Sequence, residues 1–333
     1  MLSPFLKGKL ACCMPSLLEA APLPDGPPLH LKGGCLLVAS PVDFSEACFS
    51  VPSIRALKRF RPMGTLVVLC PESLKSLWGT VSQVDEVIVY SDQCAARKIV
   101  PLLKDGELKF DSAILLEAGD AAKAIARAGV SQRLGYPVKG LVKLLTDPVE
   151  RILEPGPIEH RVRYYLGLVQ ELGGDAFVRE NFQTSAVLKT PENLRVALAR
   201  YSEYGPSYEW SEEKFDQLKL AVEEKHGAIE WVDVSGENDV AEVLASCSAL
   251  VACDGEVAHW AAHIGLPAVV IFGPNESEWK RPLGKQSRVV RARVACSPCY
   301  LANCPLDHRC LNEVTVEAVA EVLNNCLTGD EAE

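Results

Sequence analysis

The stretch from Ser248 to Pro274, SALVACDGEVAHWAAHIGLPAVVIFGP, narrows the fold more than any other part of the chain. Ala249–Cys253 is a short apolar run of buried-strand length, and Asp254-Gly255 breaks it. Glu256–Ile264 has helical composition and Gly265 ends it; Ala268–Phe272 is a second apolar run. A strand, turn, helix and strand in that order make a parallel crossover unit, with its turn at the carboxyl edge of the sheet. Ligands of open α/β sheets bind at that edge. The backbone N–H groups and partial positive charge of a helix start suit a phosphate there. A second reading stays open, in which the unit is purely structural and Asp254 is an N-cap.

The same alternation runs through the rest of the chain. Strands are expected at 35–39, 65–70, 86–90, 112–116 and 133–136, with helices at 45–60, 71–78, 99–103 and 121–128 between them. Pro52 kinks or divides the first of these helices. A helix at 159–172 stops at Gly173-Gly174, and the weakly patterned 175–190 holds the domain boundary. Beyond it come strands at 194–199, 229–234 and 288–294, helices at 211–225 and 238–246, and a closing helix at 314–327. The expected organisation is an irregular lead-in at 1–34, a domain at 35–178 and a smaller one at 179–333. Both domains are α/β and Rossmann-like, with doubly wound parallel sheets covered on both faces. Two such halves facing each other across a cleft suggest a transferase or a ligand-binding clamp. Neither half has GxGxxG after its first strand or a GxxxxGK[ST] segment, which argues against nicotinamide dehydrogenases and P-loop enzymes.

At 333 residues, 48% hydrophobic and 23% charged, the chain has room for two cores. A formal charge of -10 argues against nucleic acid as a partner, because general affinity for a phosphate backbone needs clustered Lys and Arg. Thirteen cysteines, odd in number and dispersed, point to reduced thiols and a cytoplasmic location rather than a secreted disulfide scaffold. No stretch reaches the roughly 20 apolar residues of a membrane span, and the first residues lack a signal-peptide core.

Several segments, in order, resemble glycosyltransferase family 9, the ADP-heptose:lipopolysaccharide heptosyltransferases. They are VPSIRALKRF from Val51, VDEVI from Val84, RLGY from Arg133, LLTDPV from Leu144, EYGPSYEW from Glu203, Asp254–Gly265 followed by VIFGP from Val270, and the CSPC and CPL segments at Cys296 and Cys304. Together they span roughly 35–325. The resemblance implies a GT-B fold with the acceptor on the first domain and the nucleotide-sugar donor on the second. It also implies inverting, metal-independent transfer of a heptose or related sugar from an ADP-sugar to a lipid-A-core oligosaccharide. The protein would then work at the cytoplasmic face of the inner membrane, in peripheral contact with it. No cofactor is required.

Matching the family position by position makes Glu46 the base that activates the acceptor hydroxyl, where the family has Asp after Gly and this chain has Ser45-Glu46. Glu ionises much like Asp, but its longer side chain shifts the carboxylate, and placement governs catalysis. The other reading of Glu46 is a helix-capping acid. Donor binding is implied for Tyr204, Gly205, Tyr208, Asp254, Gly255, Glu256 and His259. Tyr208 falls where the family has a phosphate-contacting Lys, and a core or rim aromatic is its alternative. Glu256 introduces a carboxylate at the helix start; at roughly 4 Å and an effective dielectric near 20 it would repel a phosphate by about 4 kcal/mol unless it turns outward. His259 either reaches the cleft or packs in the core. The family's extra strand–helix unit after the strand at 229–234 is missing here, so the second sheet should be smaller.

The loop 296–310 holds Cys296, Cys299, Cys304 and Cys310 at spacings that allow a tetrahedral structural zinc site; simple reduced cysteines are the alternative. The departures at positions 46, 208 and 256 leave two functional readings. One is an active heptosyltransferase. The other is a degenerate, non-catalytic GT-B protein that binds a ligand or serves as partner to an active paralogue. The first requires the Cys253–His259 bend to open onto the donor.

Overall fold

The structure is a computed structural model that describes residues 17–19, 29–149, 159–184, 193–235 and 239–329. It divides into two compact units, one of Leu18–Ser185 and one of Met1–Leu17 with Ala186–Glu333.

In the first unit β1 (Cys35–Ala39), α1 (Phe44–Phe60), β2 (Thr65–Pro71), α2 (Lys75–Gly79), β3 (Glu86–Tyr90), α3 (Ala96–Lys104), β4 (Ser112–Leu115), α4 (Asp120–Ala128) and β5 (Gln132–Gly135) alternate. A two-residue β6 (Asp147–Pro148) and α5 (Val162–Glu171) follow. The sheet order is β3-β2-β1-β4-β5-β6, parallel throughout. The central strands are apolar on both faces because helices cover both. Leu37, Val67, Ala113 and Leu115 pack with Ile99 and Leu103 of α3 and Ile125 of α4, each fully buried aliphatic contributing roughly 1.5–3 kcal/mol. Pro52 sits inside a continuous α1 and neither divides nor ends it. The end of the lead-in is tied to the sheet by Gln132, which accepts from Lys32 N (2.9 Å) and donates to His30 O (2.9 Å). Residues 1–16 and 20–28 of the lead-in lie outside the described residues.

The second unit runs β7 (Arg195–Ala199), α6 (Glu212–His226), β8 (Glu230–Asp233), α7 (Val240–Ala245), β9 (Ala249–Cys253), α8 (Glu256–Ile264), β10 (Ala268–Phe272), α9 (Ser277–Lys280), β11 (Ser287–Arg291), α10 (Arg309–Asn312) and α11 (Val316–Thr328). Its parallel sheet is ordered β11-β10-β9-β7-β8. The core joins Val196, Leu198, Val251, Val269 and Ile271 to Phe215 and Leu218 of α6 and Val319 and Leu323 of α11. The two orders match except that, among the described residues, nothing corresponds to β3. Only six residues separate β8 from α7, too few for a crossover unit of a dozen or more. The second sheet is therefore one strand smaller, as the sequence predicts.

In each sheet the order reverses once, between β1 and β4 and between β7 and β9. These two switch points are the places where a doubly wound sheet opens a crevice at its carboxyl edge.

Candidate functional site

At the second switch point the loop after β7 meets the turn after β9. Ser202 Oγ donates to Asp254 O (2.7 Å), and Trp210 N donates to Cys253 Sγ (3.2 Å). Between these anchors Pro206–Tyr208 forms a short 3-10 turn. Gly205 adopts φ +109, and a Cβ there would lie 2.9 Å from Ala302 O. That carbonyl also accepts from Ser207 N (3.1 Å). Gly205 thus serves the close approach of the cysteine loop, which is pinned in turn by Cys299 N and Tyr300 N donating to Pro274 O (2.9 and 3.0 Å). Tyr208 is 5% exposed, its ring 5.3 Å from that of Tyr204. Burial, followed by the charge of Asp254, pushes its hydroxyl up to about 12. The core-aromatic reading of Tyr208 describes its surroundings.

Asp254 is 1% exposed and accepts a hydrogen bond from Asn275 Nδ2 at 2.9 Å. Burial raises its carboxyl to about 7, against the opposing pull of the Asn275 bond. It does not cap α8: the N-cap position is Gly255, which makes no side-chain cap bond. His259 is 2% exposed, and burial drives its imidazole down to about 3, so it is neutral at physiological pH. Lys280, at the end of α9, adds its positive charge to the surroundings of both groups. The bend is closed rather than open: Cys253, Asp254, Gly255 and His259 are buried, whereas Glu256 is exposed. The start of α8 is filled by Glu203, whose Oε2 accepts from Glu256 N at 3.2 Å. The requirement for an open bend is not met: Asp254 and His259 are buried, and the exposed Glu203 carboxylate accepts from the first turn of α8.

At the first switch point Glu46 lies in the first turn of α1. Asp43 Oδ1 accepts from Glu46 N at 2.9 Å and is the N-cap, while Glu46 is the acid of the first turn. The Glu46 carboxylate instead receives Arg161 Nε (2.7 Å) and Tyr165 OH (2.6 Å) at Oε2. Arg161 stacks 4.0 Å from the centre of the Tyr164 ring. Next to this group Glu117 accepts from Val42 N at 2.8 Å. Burial, reinforced by the charges of Glu46 and Asp43, holds the Glu117 carboxyl above its ordinary range.

The structure thus brings Tyr204, Gly205, Tyr208, Asp254, Gly255, Glu256 and His259 to one switch point and Glu46 to the other. Sequence reasoning missed Arg161, Tyr165, Glu117 and Asn275, which reach their partners from distant segments and carry no local signal. Among the described residues no group of three or more His, Cys, Asp or Glu could hold a metal ion. Cys296, Cys299, Cys304 and Cys310 are free thiols, and burial followed by the nearby Cys296 raises Cys310. These residues do not form a zinc ligand set here. Among the described residues no helix is long and apolar enough to cross a membrane.

Comparison with known proteins places this geometry. The family model described as glycosyltransferase family 9 (heptosyltransferase) matches residues 225–309, from the end of α6 through the cysteine loop. The lipopolysaccharide heptosyltransferase 2 of Escherichia coli K12 is 22% identical over 348 residues, covering 89% of this chain and 99% of that protein. A Campylobacter jejuni lipooligosaccharide heptosyltransferase 2 is 30% identical over 25% of this chain and 27% of its own length. Among solved structures, E. coli ADP-heptose heptosyltransferase II shares the fold with a TM-score of 0.73 at 20% identity, over 89% of this chain and 99% of that one. An E. coli heptosyltransferase, WaaC, with ADP matches with a TM-score of 0.65 at 16% identity, over 88% and 99% of the two chains. Two parallel α/β domains of GT-B type, a near full-length alignment at low identity and a family match over residues 225–309 agree in likening this chain to the heptosyltransferases of glycosyltransferase family 9.

Proposed function

We propose that this protein transfers a heptose or closely related sugar from an ADP-heptose-like donor to the core oligosaccharide of lipopolysaccharide. The observation that carries the reading is that the residues matched to the family's chemistry all fall at the two sheet switch points, where doubly wound folds bind ligands. In the proposed reaction Glu46 takes the proton of the acceptor hydroxyl. The acceptor oxygen attacks the anomeric carbon, the bond from that carbon to the diphosphate breaks, ADP leaves with the electron pair, and the configuration inverts. Arg161 and Tyr165 fix the orientation of Glu46. Asp254 and His259 shape the donor seat, and the chemistry needs no metal. The near full-length likeness to heptosyltransferases favours an active enzyme over a degenerate clamp.

A peripheral membrane contact has a structural counterpart on the first unit. Val42, Val138 and Val142 are 56%, 40% and 58% exposed, and Lys139 and Lys143 are exposed between and beside them. A Cβ on Gly140 would lie 2.8 Å from Ala118 Cβ, so this turn packs beside the Glu117 loop that holds Val42. Apolar tips flanked by lysines suit an anionic lipid surface and lie next to the proposed base.

Calorimetric titration with ADP, and turnover of an ADP-heptose with deacylated core acceptor, test the function. Glu46→Gln should lower kcat at least a hundredfold with ADP affinity unchanged. Absence of ADP binding at millimolar ligand refutes the transferase.

A further inference from the structure

With Asp254 and His259 buried in the bend after β9, exposed rings reach this edge of the sheet from the cysteine loop and from α9. Cys299 N and Tyr300 N both donate to Pro274 O, just after β10 (2.9 and 3.0 Å). Two residues on, Ala302 O accepts from Ser207 N in the loop after β7 (3.1 Å). β9 lies between β10 and β7 in the sheet. Residues 299–302 therefore run from one neighbour of β9 to the other, across the carboxyl end where Asp254 begins the turn. The Tyr208 hydroxyl, raised first by burial and then by Asp254, also feels Cys299 and Tyr300. Tyr300 is 48% exposed on this bridge. Its φ of +58 is left-handed, a strained conformation for a bulky residue and one that collects at functional sites. Glycine would adopt it without strain, so what tyrosine adds here is its ring. That ring stands edge-on to the half-buried Trp279 of α9, at 6.1 Å between centres and 89° between planes. Lys280 Nζ lies 5.1 Å from the centre of the Trp279 ring.

We propose that Tyr300 and Trp279 form an aromatic corner on which the sugar ring of the donor stacks, and that this corner sets which sugar is accepted. The inference rests on the donor reading above for the identity of the ligand. A sugar ring offers C–H bonds on its faces and hydroxyls around its rim. The C–H hydrogens carry partial positive charge and meet the negative face of an aromatic ring. Two rings at right angles cannot sandwich a flat nucleobase. They can hold a thicker, puckered ring against one face while the second closes its side. The polar groups of the corner suit the rim. Burial, reinforced by the charge of Glu276, raises the Tyr300 hydroxyl above its ordinary range, so it stays protonated and able to donate to a sugar oxygen. Lys280, whose charge also reaches Asp254 and His259, brings a cation to the Trp279 side.

Calorimetric titration of the full chain with ADP and, separately, with ADP-heptose tests this, because the two ligands differ only in the sugar. Tyr300→Gly removes one ring and suits the backbone of its position. Trp279→Leu removes the other. Melting temperatures verify folding, and either variant decides alone if the other fails to fold. Each should bind ADP-heptose roughly fivefold more weakly than the parent, a loss of about 1 kcal/mol of stacking, with ADP binding unchanged. Unchanged ADP-heptose binding by either folded variant overturns the inference and leaves the donor reading standing. Equal weakening of ADP and ADP-heptose overturns it as well, since the rings would then serve the nucleotide or the loop. So does a parent that binds ADP but not ADP-heptose. No ADP binding by any form removes the donor reading, and the sugar corner falls with it.

Discussion

Replacing Asp254 by Asn should stabilise the protein at pH 8 and leave it nearly unchanged at pH 4. The carboxyl is 1% exposed, and burial raises it from an ordinary 3.8 to about 7. A raised acid holds its proton in the folded state while the unfolded chain has released it. Between pH 3.8 and 7 the folded form therefore binds more protons, and stability falls as pH rises. Above pH 7 the loss is complete. The gap between the two values corresponds to about 4 kcal/mol, an upper figure because water entry or a shift of Lys280 relieves part of it. Asn is close to isosteric and its amide oxygen can keep the bond from Asn275 Nδ2. Urea unfolding followed by tryptophan fluorescence, run from pH 4 to 8 on parent and variant, reads the difference directly. Contributions of all other groups cancel in that difference. The variant's advantage should open across pH 4–7 and reach at least 1 kcal/mol at pH 8. An Asn variant that is less stable by the same amount at every pH would refute the reasoning, since ionised Asp254 would then be a stabilising charge. An acid kept at such a cost is expected where function requires it.

Further expectations concern neighbouring groups. His259, driven down to about 3, refuses a proton that the unfolded chain takes up below 6.5, so its stability contribution is full above pH 6.5 and lost as pH falls towards 3. His259→Gln should gain on the parent near pH 4–5 and lose that gain above pH 6.5 in the same urea series, the reverse of Asp254→Asn. Tyr208→Lys, which restores a cation by sequence, should destabilise by about 2–4 kcal/mol in thermal melts and should not improve ADP binding, because position 208 is buried. Lys139→Glu with Lys143→Glu should abolish sedimentation with vesicles containing 30% phosphatidylglycerol while leaving ADP affinity unchanged, each lysine contributing about 1 kcal/mol at an anionic surface.

The fold was legible because parallel strands buried on both faces must be continuous apolar runs. Cys35–Ala39, Thr65–Pro71, Ala249–Cys253 and Ala268–Phe272 all announce themselves in this way. The half-exposed edges are less legible. β11 starts and ends on Ser287 and Arg291, and the two-residue β6 has no pattern at all. Site residues on turns at strand ends could be located, since their positions follow from the strands. Their partners could not. Arg161 and Tyr165 meet Glu46 from 115 and 119 residues away, and nothing in local spacing encodes that meeting. The filling of the α8 start by Glu203 was hidden for the same reason: it depends on loop 200–211 folding back over a glycine, a tertiary event that helix-capping rules do not contain.

The missing strand–helix unit has a physical consequence at the other end of the second sheet. Without it β8 is an edge strand, and an exposed edge is a template for pairing with another chain. β8 answers this with charge at both ends. Glu230 pairs with Arg195 at 3.1 Å and Asp233 with Arg200 at 3.3 Å, while Trp231 and Val232 between them are half-buried. Exposed pairs of this kind contribute little to monomer stability, about 0–1 kcal/mol each, so their removal should leave the melting temperature nearly unchanged. Their value lies in repelling a second edge. Glu230→Val with Asp233→Val turns EWVD into VWVV, a short β-prone, uncharged strand. Sedimentation velocity across a tenfold concentration range should then show mass-dependent association well above that of the parent. A double variant that sediments as the parent does, with the same melting temperature, would show that the edge is covered by some other element and that the lost unit left no liability behind.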